Sequence, residues 1–473
     1  MRGAAFAGVL VALTLLGGAL RLALLERGFP ARPGGDELYY VGTALNLAEG
    51  HGHRFNARQR AFRPPAQSLL LAPLVDVELR RSRLDPQQLL LGLSELDPRR
   101  PDPDLAAFLR PLLWAPLCLG TLLVPLTALL GRALFDARSG LLAGAGAALS
   151  PTLVASSHSL MSETLFAVLV SAGLALAVLA RDRRSLSLAA GAGIAFGLSA
   201  LTRELGAAVA AACALWSLCG LGPGERRAGA ARAAALCAAT ALVIAPWTWR
   251  NHQVLGRFVP VSTVGWFAAG EGNTLEHPEW LRPFGPRRLA FKMRFFQIDD
   301  EMGRADFARE YTLQQIRAEQ PLWLGRKLVR NLGLLIAPDA VWLERLREGA
   351  YPGPGRGVAR LLLVLHLALY AALLPAAAAG VALARERGRR SLALSVLGLT
   401  LALHVLANAT PRFRAPWLPF LAAYAAFAVR RGRVRTGGPW PLLAALGAGA
   451  LLLWASFTFF ADAAAAVWNA PLP

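Results

Sequence analysis

Two adjacent carboxylates, Asp36 and Glu37, lie about a dozen residues after the first apolar segment of the chain. They belong to the stretch Gly35-Asp-Glu-Leu-Tyr-Tyr40, which places two tyrosines beside them. A carboxylate at a membrane surface costs free energy unless it is solvated or paired, so the pair invites a functional reading. Taken alone, it is explained by a solvated loop, and the residues around it are what favour a function. Because Asp or Glu can take a proton from a hydroxyl group, the chemistry that this pair indicates is base catalysis.

Other charged residues stand at the ends of later apolar segments, on what the predicted topology makes the same face. They are Glu163, Arg203, Arg250, Arg412 and Arg414. Arginine on the outer side of a membrane protein opposes the usual bias of positive charge toward the cytoplasm. Several arginines together predict an anionic ligand, since guanidinium groups pair well with phosphate. Taken singly, each arginine is explained by snorkelling, and Glu163 by the dipole of a helix N-terminus.

Long apolar runs must position these groups. The chain has 473 residues, 55% of them hydrophobic, and a mean hydropathy of +0.42. Runs of about 17–25 apolar residues are long enough to cross a bilayer, where the backbone must be helical because it finds no water. We therefore predict an all-α membrane protein, a polytopic helical bundle in a single domain covering residues 1–473. The expected eleven spans lie near residues 4–24, 106–130, 139–156, 164–180, 185–201, 205–221, 230–248, 358–384, 391–408, 415–430 and 440–461.

The net charge of +20 is concentrated in short basic clusters between the apolar runs. With a cytoplasmic N-terminus, the clusters at 181–184, 226–232, 385–390 and 430–435 all fall on the cytoplasmic side, as positive charge usually does. This distribution explains much of the net charge without a nucleic-acid partner. A crossing by residues 328–343 would turn the cluster at 385–390 outward, so we predict that this segment is interfacial or re-entrant. The first apolar run is expected to stay uncleaved as a span.

Two longer polar segments, residues 26–104 and 249–327, are expected outside the membrane on the extracytoplasmic side. In the second, Asp299-Asp300 precedes a helical pattern in which Phe307, Tyr311 and Ala318 share a face. Such interfacial helices are suited to covering one face of the bundle. The four cysteines lie in or near predicted spans, which indicates apolar packing and no disulfide framework.

Several short stretches, in order along the chain, carry a resemblance to a known family. They are Gly35 to Tyr40, Ala48-Glu-Gly-His-Gly-His53, Phe62-Arg-Pro-Pro-Ala66, Ser157 to Phe166, Leu201-Thr-Arg203, Pro246 to Gly256 and Pro411 to Pro419. With these stretches the chain resembles the multi-spanning glycosyltransferases of the C-type superfamily. It is most similar to the protein O-mannosyltransferase-like branch, which includes the aminoarabinose transferases that modify lipid A. The resemblance extends from the first predicted span to the tenth.

The resemblance implies an enzyme of the cell inner membrane that takes a sugar from a polyprenyl-phosphate donor and inverts its anomeric centre. The acceptor would be a lipid, a glycan or a protein, and the active site would face the extracytoplasmic side. By the resemblance, Asp36 is the catalytic base. Glu37 and Glu163 would bind the acceptor or an optional divalent cation, which is the one cofactor considered.

The resemblance also assigns the donor phosphate to a basic residue before the Pro-Pro pair, which is Arg63 here. Relatives that modify lipid A often have lysine there, so the headgroup geometry is expected to differ. Further phosphate ligands would be Arg203, Arg250, Arg412 and Arg414, and Tyr39, Tyr40 and His53 would bind substrate.

A transporter or lipid flippase is the main alternative, and a non-catalytic scaffold is another. Ion-coupled transporters place ionisable residues near the middle of their spans. In the predicted spans, the centres contain no Asp, Glu, Lys or Arg, and His366 and His404 are their only titratable residues. This distribution favours the enzyme. Pentose, hexose and uronic acid donors all fit this interpretation, as do lipid, glycan or protein acceptors.

Overall fold

The structure is a computed structural model that describes residues 3–26, 35–82, 84–86, 88–89, 103–219, 225–277, 281, 285–340, 342–343, 356–385, 388–431 and 439–469. Within these ranges the regular elements are helices. Those that begin before residue 200 are α1 (Gly3–Glu26), α2 (Asp36–Ala48), α3 (Ala66–Ser82), α4 (Pro103–Leu112), α5 (Trp114–Leu134), α6 (Ala137–Leu149), α7 (Pro151–Ser156), α8 (Glu163–Asp182) and α9 (Leu186–Ala200). Those that follow are α10 (Leu205–Leu218), α11 (Arg226–Leu255), α12 (Val264–Asn273), α13 (Pro286–Gln297), α14 (Glu301–Ala318), α15 (Trp323–Ile336), α16 (Arg356–Leu383), α17 (Arg389–Leu406), a 3-10 helix (Pro411–Trp417), α18 (Leu418–Arg431), α19 (Trp440–Phe459) and α20 (Ala461–Asn469).

The predicted helical membrane bundle is confirmed. Among the described residues, seven helices are long and apolar enough to cross a bilayer: α1, the continuous α4–α5 stretch, α8, α11, α16, α17 and α19. The other four predicted spans coincide with α6, α9, α10 and α18, which have 13, 15, 14 and 14 residues. At a rise of 1.5 Å per residue these helices are about 20–23 Å long, which is less than a hydrocarbon core of about 30 Å. The count of eleven spans therefore stays a prediction.

The short helices begin and end where the local sequence dictates. Asp136 caps α6 by accepting hydrogen bonds from the backbone N–H groups of Arg138 and Ser139, both at 3.0 Å. Ser150 caps α7 at the Ser-Pro step, and Ser185 caps α9. These caps satisfy backbone donors that a helix cannot pair internally. These N-caps fix where α6, α7 and α9 begin.

Small residues let the bundle helices approach closely. Gly140 of α6 lies so near α5 that a Cβ there would stand 2.4 Å from the carbonyl oxygen of Ala128. Gly193 of α9 faces α11, where a Cβ would stand 2.3 Å from the carbonyl oxygen of Leu236. Close backbone approach at small residues is how helices associate without a hydrophobic driving force between them. Around these contacts lies the largest core, which includes Phe166, Phe196, Trp216, Phe420 and Tyr424.

Helices from the two predicted extramembrane segments share a second core. Phe62, from the chain between α2 and α3, packs against Phe267 of α12 with ring centroids 5.6 Å apart. Helix α14 is the one predicted after Asp299-Asp300, and Asp300 caps it. Its Phe307 and Tyr311 pack on Phe291 of α13 at 5.9 and 4.8 Å, which confirms that these two residues share a face, whereas Ala318 of the predicted face is exposed. This aromatic layer covers the bundle at the end where α8 begins.

The segment near 328–343 forms α15 and then breaks at Pro338. Lys327 of α15 is fully buried and donates hydrogen bonds to the carbonyl oxygens of Gly272 and Ala407, at 2.7 and 3.0 Å. Burial, together with the charge of Arg330, lowers the pKa of Lys327 well below its usual value. With 14 residues, α15 is not among the seven helices long enough to cross. Its re-entrant character stays a prediction.

Candidate active site

Asp36 is the first residue of α2, and Gly35 before it adopts φ of 52°, a left-handed conformation that favours glycine. The two carboxylate oxygens of Asp36 are held by two different arginines. Nη2 of Arg63 donates to Oδ1 at 2.6 Å, and Nη2 of Arg412 donates to Oδ2 at 2.7 Å. Arg63 precedes α3, whereas Arg412 lies in the 3-10 helix before α18. Residues from opposite parts of the sequence thus form one charged cluster.

A second carboxylate joins this cluster. Glu163 begins α8, and its Oε1 accepts a hydrogen bond from Nη1 of Arg203 at 2.8 Å. Nε of Arg412 lies 3.8 Å from the same oxygen, so Arg412 links Glu163 to Asp36. Arg203 lies in the turn where α9 ends and α10 begins. Five of the predicted site residues, Asp36, Arg63, Glu163, Arg203 and Arg412, are therefore brought together.

Electrostatics keep Asp36 ionised. Burial raises the pKa of its carboxyl group, but the charges of Arg63 and Arg412 lower it by more, so the net pKa lies well below the usual range. The same pairing raises the pKa of Arg412 against the opposing effect of burial. In this resting arrangement Asp36 is a weak base. Asp36 becomes a stronger base when Arg63 and Arg412 pair with another anion, because these two charges are what lower its pKa.

Neighbouring groups fix the orientation of these side chains. The guanidinium groups of Arg203 and Arg412 lie over the ring of Phe413, at 5.0 and 5.4 Å from its centroid. Tyr40 donates a hydrogen bond to Oγ of Ser162 at 3.2 Å, next to Glu163 in sequence. Ser162 also accepts a hydrogen bond from Nη1 of Arg203 at 3.4 Å, so Tyr40, one of the three residues predicted to bind substrate, is linked to the cluster.

Glu37 contacts the loop between α7 and α8. It is almost fully buried, and its Oε1 accepts hydrogen bonds from the hydroxyl of Ser159 at 2.6 Å and the backbone N–H of Leu160 at 2.7 Å. These bonds tie α2 to the loop between α7 and α8, which carries Glu163 at its end. Glu37 is thus placed to position both carboxylates of the cluster.

The remaining predicted site residues contact backbone or aromatic rings. Arg250 donates hydrogen bonds to the carbonyl oxygens of Arg60 and His53, at 2.9 and 2.6 Å. His53 packs edge-on against Trp247, and burial lowers its pKa to about 4, so it is neutral near pH 7. Tyr39 stacks on Phe55 with centroids 5.0 Å apart.

Arg414 lies two residues beyond Arg412 but serves a different segment. It is buried and donates hydrogen bonds to the carbonyl oxygens of Leu335, Ala337 and Asp339. These carbonyls include the last turn of α15, whose orphan acceptors a buried cation can satisfy. Its predicted contact with phosphate is therefore not supported by this placement.

Two further carboxylates support the cluster, and sequence reasoning missed both. Glu301 of α14 accepts hydrogen bonds from the backbone N–H groups of Arg60 and Ala61, at 2.6 and 3.0 Å, and so holds the segment that carries Arg63. Glu204, next to Arg203, accepts a hydrogen bond from Ser262 at 2.6 Å. Burial raises the pKa of Glu204. The one sequence signal for Glu204 was its place beside Arg203.

A narrow cleft opens beside the cluster. Glu163, Arg412, Ser159, Met161 and Trp342 are among the residues that line it. Two buried polar atoms of these side chains, Oε2 of Glu163 and Nε1 of Trp342, have no hydrogen-bond partner in the part of the chain that the structure describes. A buried polar atom without a partner costs about 1–3 kcal/mol, so an unpaired acceptor and an unpaired donor lining the same cleft indicate a polar ligand.

The arrangement does not fit a metal site made by protein side chains. Within the described ranges no three His, Cys, Asp or Glu side chains are grouped to hold an ion. Both oxygens of Asp36 already accept from arginines, and a cation would have to approach against the positive charges of Arg63 and Arg412. The predicted optional cation therefore enters no step below.

Neither a protein-family model nor a curated protein matches the sequence. Solved structures do match. The archaeal oligosaccharyltransferase AglB from Archaeoglobus fulgidus, in complex with an inhibitory peptide and a dolichol-phosphate, has a TM-score of 0.50 at 16% identity. The apo form of that oligosaccharyltransferase has a TM-score of 0.51, also at 16% identity. In both cases the match covers 99% of this chain and 56% of the other. ArnT from Cupriavidus metallidurans, bound to undecaprenyl phosphate, covers 96% of this chain and 90% of its own at 13% identity, but its TM-score is only 0.39.

The two matches to the archaeal oligosaccharyltransferase show the fold. The chain has the fold of the solved archaeal oligosaccharyltransferase, in agreement with the resemblance to C-type glycosyltransferases that its sequence motifs carry. It spans about half the length of the solved oligosaccharyltransferase that it matches. At 16% identity the likeness extends to the fold alone, so the activity is argued from the side chains.

Proposed function

We propose that this protein is a glycosyltransferase that moves a sugar from a polyprenyl-phosphate donor to a hydroxyl group of a lipid, glycan or protein acceptor. The observation that carries the proposal is the bridging of Asp36 by Arg63 and Arg412, 2.6 and 2.7 Å from its two oxygens. A carboxylate and paired guanidinium groups are what proton abstraction and phosphate departure require. The dolichol-phosphate bound to AglB is the precedent for a lipid-linked donor.

The donor phosphate would compete with Asp36 for the arginines. Arg63 and Arg412 hold the carboxylate in the resting structure, and Arg203 lies close enough to lower its pKa as well. When a phosphate takes over these donors, Asp36 loses the charges that depress its pKa and becomes a stronger base. Donor binding and base activation are coupled in this way.

The proposed reaction is a single displacement at the anomeric carbon of the sugar. The acceptor oxygen forms a bond to the anomeric carbon, the bond from that carbon to the phosphate oxygen breaks, and the polyprenyl phosphate leaves with the electron pair. Asp36 takes the acceptor proton. Arg63, Arg203 and Arg412 offset the negative charge that grows on the leaving phosphate. Attack opposite the leaving group inverts the anomeric centre.

Helix lengths bear on where the site would lie. Helix α8 runs 20 residues from Glu163 to Asp182, about 29 Å, and basic residues follow its far end. If that basic end faces the cytoplasm, the cluster around Asp36 lies near the opposite membrane boundary. We therefore assign the site to the extracytoplasmic face of the inner membrane, within reach of a donor whose isoprenoid tail stays in the bilayer.

The test is sugar transfer by the purified protein. Radiolabelled polyprenyl-phosphate sugars are offered singly, with native membrane extract as the acceptor. Asp36→Asn keeps the shape of the side chain but removes the base, and we expect it to lose transfer by a factor of about 10² or more. Asp76→Asn is the matched control, because Asp76 pairs with the exposed Arg80 of α3 and, among the residues that the structure describes, has no contact with the cluster around Asp36. Transfer by wild type and control but not by Asp36→Asn supports the proposal and identifies the sugar.

Two outcomes would contradict it. Turnover by Asp36→Asn at the wild-type rate would remove Asp36 as the base. Failure of every donor, combined with movement of a labelled lipid-linked sugar across the membrane of proteoliposomes, would establish a flippase instead. Folding of each variant is checked by its size-exclusion profile in detergent.

A further inference from the structure

A cavity of about 880 Å³ lies at the far end of the bundle from Asp36. It is bounded by the end of α5, the last turns of α8, residues 383–385, Arg389 at the start of α17, and the end of α18. Glu163 and Asp182 are the first and last residues of α8, so this cavity is separated from the candidate active site by about the length of that helix, 29 Å. It shares none of its described lining residues with the cleft beside Glu163.

Positive charge predominates in the described lining of this cavity. Its charged residues are Arg132, Arg183, Arg385, Arg389, Arg431, Asp136 and Asp182. Both aspartates are already engaged: Asp136 pairs with Arg430 outside the lining and caps α6, while Asp182 accepts from Arg389 at 2.6 Å. Arg132, Arg183 and Arg385 are exposed at the rim. The cavity is therefore suited to an anion.

Arg389 forms the base of the cavity and carries an unused donor. Its residue is 3% exposed, and Nε donates to the carbonyl oxygen of Leu134 at 3.0 Å. Its Nη1 is buried without a hydrogen-bond partner among the residues that the structure describes. A buried guanidinium N–H without an acceptor costs free energy, so this atom indicates a ligand oxygen.

One wall of the cavity is apolar and extends along the lengths of α5 and α8, away from the arginines at their ends. It is formed by Leu126 and Leu129 of α5 and by Leu176 and Leu179 of α8. Leu129 is 42% exposed, which places the wall at the bundle surface, where lipid chains lie. A cationic base joined to an apolar wall matches an amphiphile with an anionic headgroup.

We propose that this cavity binds the phosphate headgroup of an anionic phospholipid, with the acyl chains along the leucine wall of α5 and α8. Arginines that serve only to orient a membrane protein need not converge on a cavity, and none of them needs to be buried. Basic pockets between membrane helices on the cytoplasmic side bind such headgroups in this way. The proposal is independent of glycosyl transfer at Asp36.

The proposal is tested by measuring how tightly single lipids bind to the full chain in detergent. Native mass spectrometry gives this affinity for phosphatidylglycerol and for phosphatidylcholine. The test variant is Arg183→Gln with Arg385→Gln, both at the exposed rim, so that folding is preserved. The matched control is Arg226→Gln with Arg227→Gln, exposed at the start of α11 and outside the lining. At roughly five-fold per arginine, the test variant should lose about 25-fold in affinity for phosphatidylglycerol, and the control should lose little.

Three results would overturn the proposal. One is equal affinity of wild type for phosphatidylglycerol and phosphatidylcholine. Another is the same loss in the test and control variants, which would reflect net charge alone. The third is displacement of phosphatidylglycerol by inorganic phosphate at an equal concentration, because the cavity would then recognise free phosphate and not a lipid.

Discussion

Arg412 and Asp36 stand 376 positions apart in the sequence, yet Nη2 of Arg412 donates a hydrogen bond to Oδ2 of Asp36 at 2.7 Å. The same arginine approaches Glu163, with Nε 3.8 Å from Oε1. One side chain thus connects the first helix after the first span to the start of α8. The electrostatic balance of the proposed site depends on it.

Replacing this arginine should damage catalysis severely. Arg412→Gln removes a charge from both Asp36 and the proposed donor phosphate, so we expect kcat/KM for the donor to fall by about 10²–10³. Steady-state transfer assays measure this. Arg80→Gln, which breaks an exposed ion pair on α3, is the control and should change kcat/KM little. An equal effect of the two substitutions would show that Arg412 has no special part in the reaction.

The pair formed by Glu163 and Arg203 should behave as a unit. Their contact is 2.8 Å, and their side chains are 8% and 22% exposed. Neighbouring partners usually show coupling energies of about 0.5–3 kcal/mol. We expect Glu163→Gln and Arg203→Gln together to reduce transfer by less than the product of their separate effects. Strict additivity in this double-mutant cycle would contradict a shared function.

The pH dependence of transfer should change when Arg63 is removed. Arg63 and Arg412 hold the pKa of Asp36 well below its usual value, despite its burial. Because this pKa is low, Asp36 does not titrate near neutral pH. Its ionised form stabilises the fold above the unfolded pKa of about 3.9, and that stability is lost as the pH falls through the folded pKa. In Arg63→Gln its pKa rises, so the acid limb of kcat/KM should move to higher pH.

The control for this pH profile is again Arg80→Gln, whose acid limb should coincide with that of wild type. Profiles of Arg63→Gln and wild type that superimpose, with lower rates throughout, would mean that Asp36 is not the group that titrates.

Replacing Glu37 should mainly lower the free energy of unfolding, because its contacts are structural. Its Oε1 accepts hydrogen bonds from Ser159 and Leu160 in a nearly waterless environment. Glu37→Ala leaves these donors unsatisfied, which should cost about 1–3 kcal/mol of unfolding free energy. Thermal unfolding in detergent measures this cost. A variant with unchanged stability but no transfer would place Glu37 among the reacting groups instead.

Arg414 should likewise be structural. It holds the carbonyl oxygens of Leu335, Ala337 and Asp339, so Arg414→Ala should lower the unfolding free energy by about 3 kcal/mol. The KM for the donor in the folded fraction should stay near that of wild type. A raised donor KM without loss of stability would restore the phosphate contact that the sequence motif predicted.

Particular residues show where sequence reasoning succeeds and where it ends. The helix α14 was predictable because its cap, Asp300, and its apolar face, Phe307 and Tyr311, are all local in sequence. The short lengths of α6, α9, α10 and α18 were not, since the apolar runs predicted spans of 16–18 residues there and the helices have 13, 15, 14 and 14. Hydropathy measures the solvent that a segment prefers and is insensitive to where a helix terminates.

By itself, the sequence determined that the chain is a helical membrane protein and that Asp36, Glu163 and a set of arginines stand at helix ends. These properties follow from composition and from order along the chain. Only the tertiary structure decided that Arg63, Arg203 and Arg412 meet the carboxylates, whereas Arg250 and Arg414 bind backbone carbonyls. Arginines in similar motifs have the same local preferences. Their partners are selected by how α2, α8 and the 3-10 helix pack, and that packing depends on contacts between residues hundreds of positions apart.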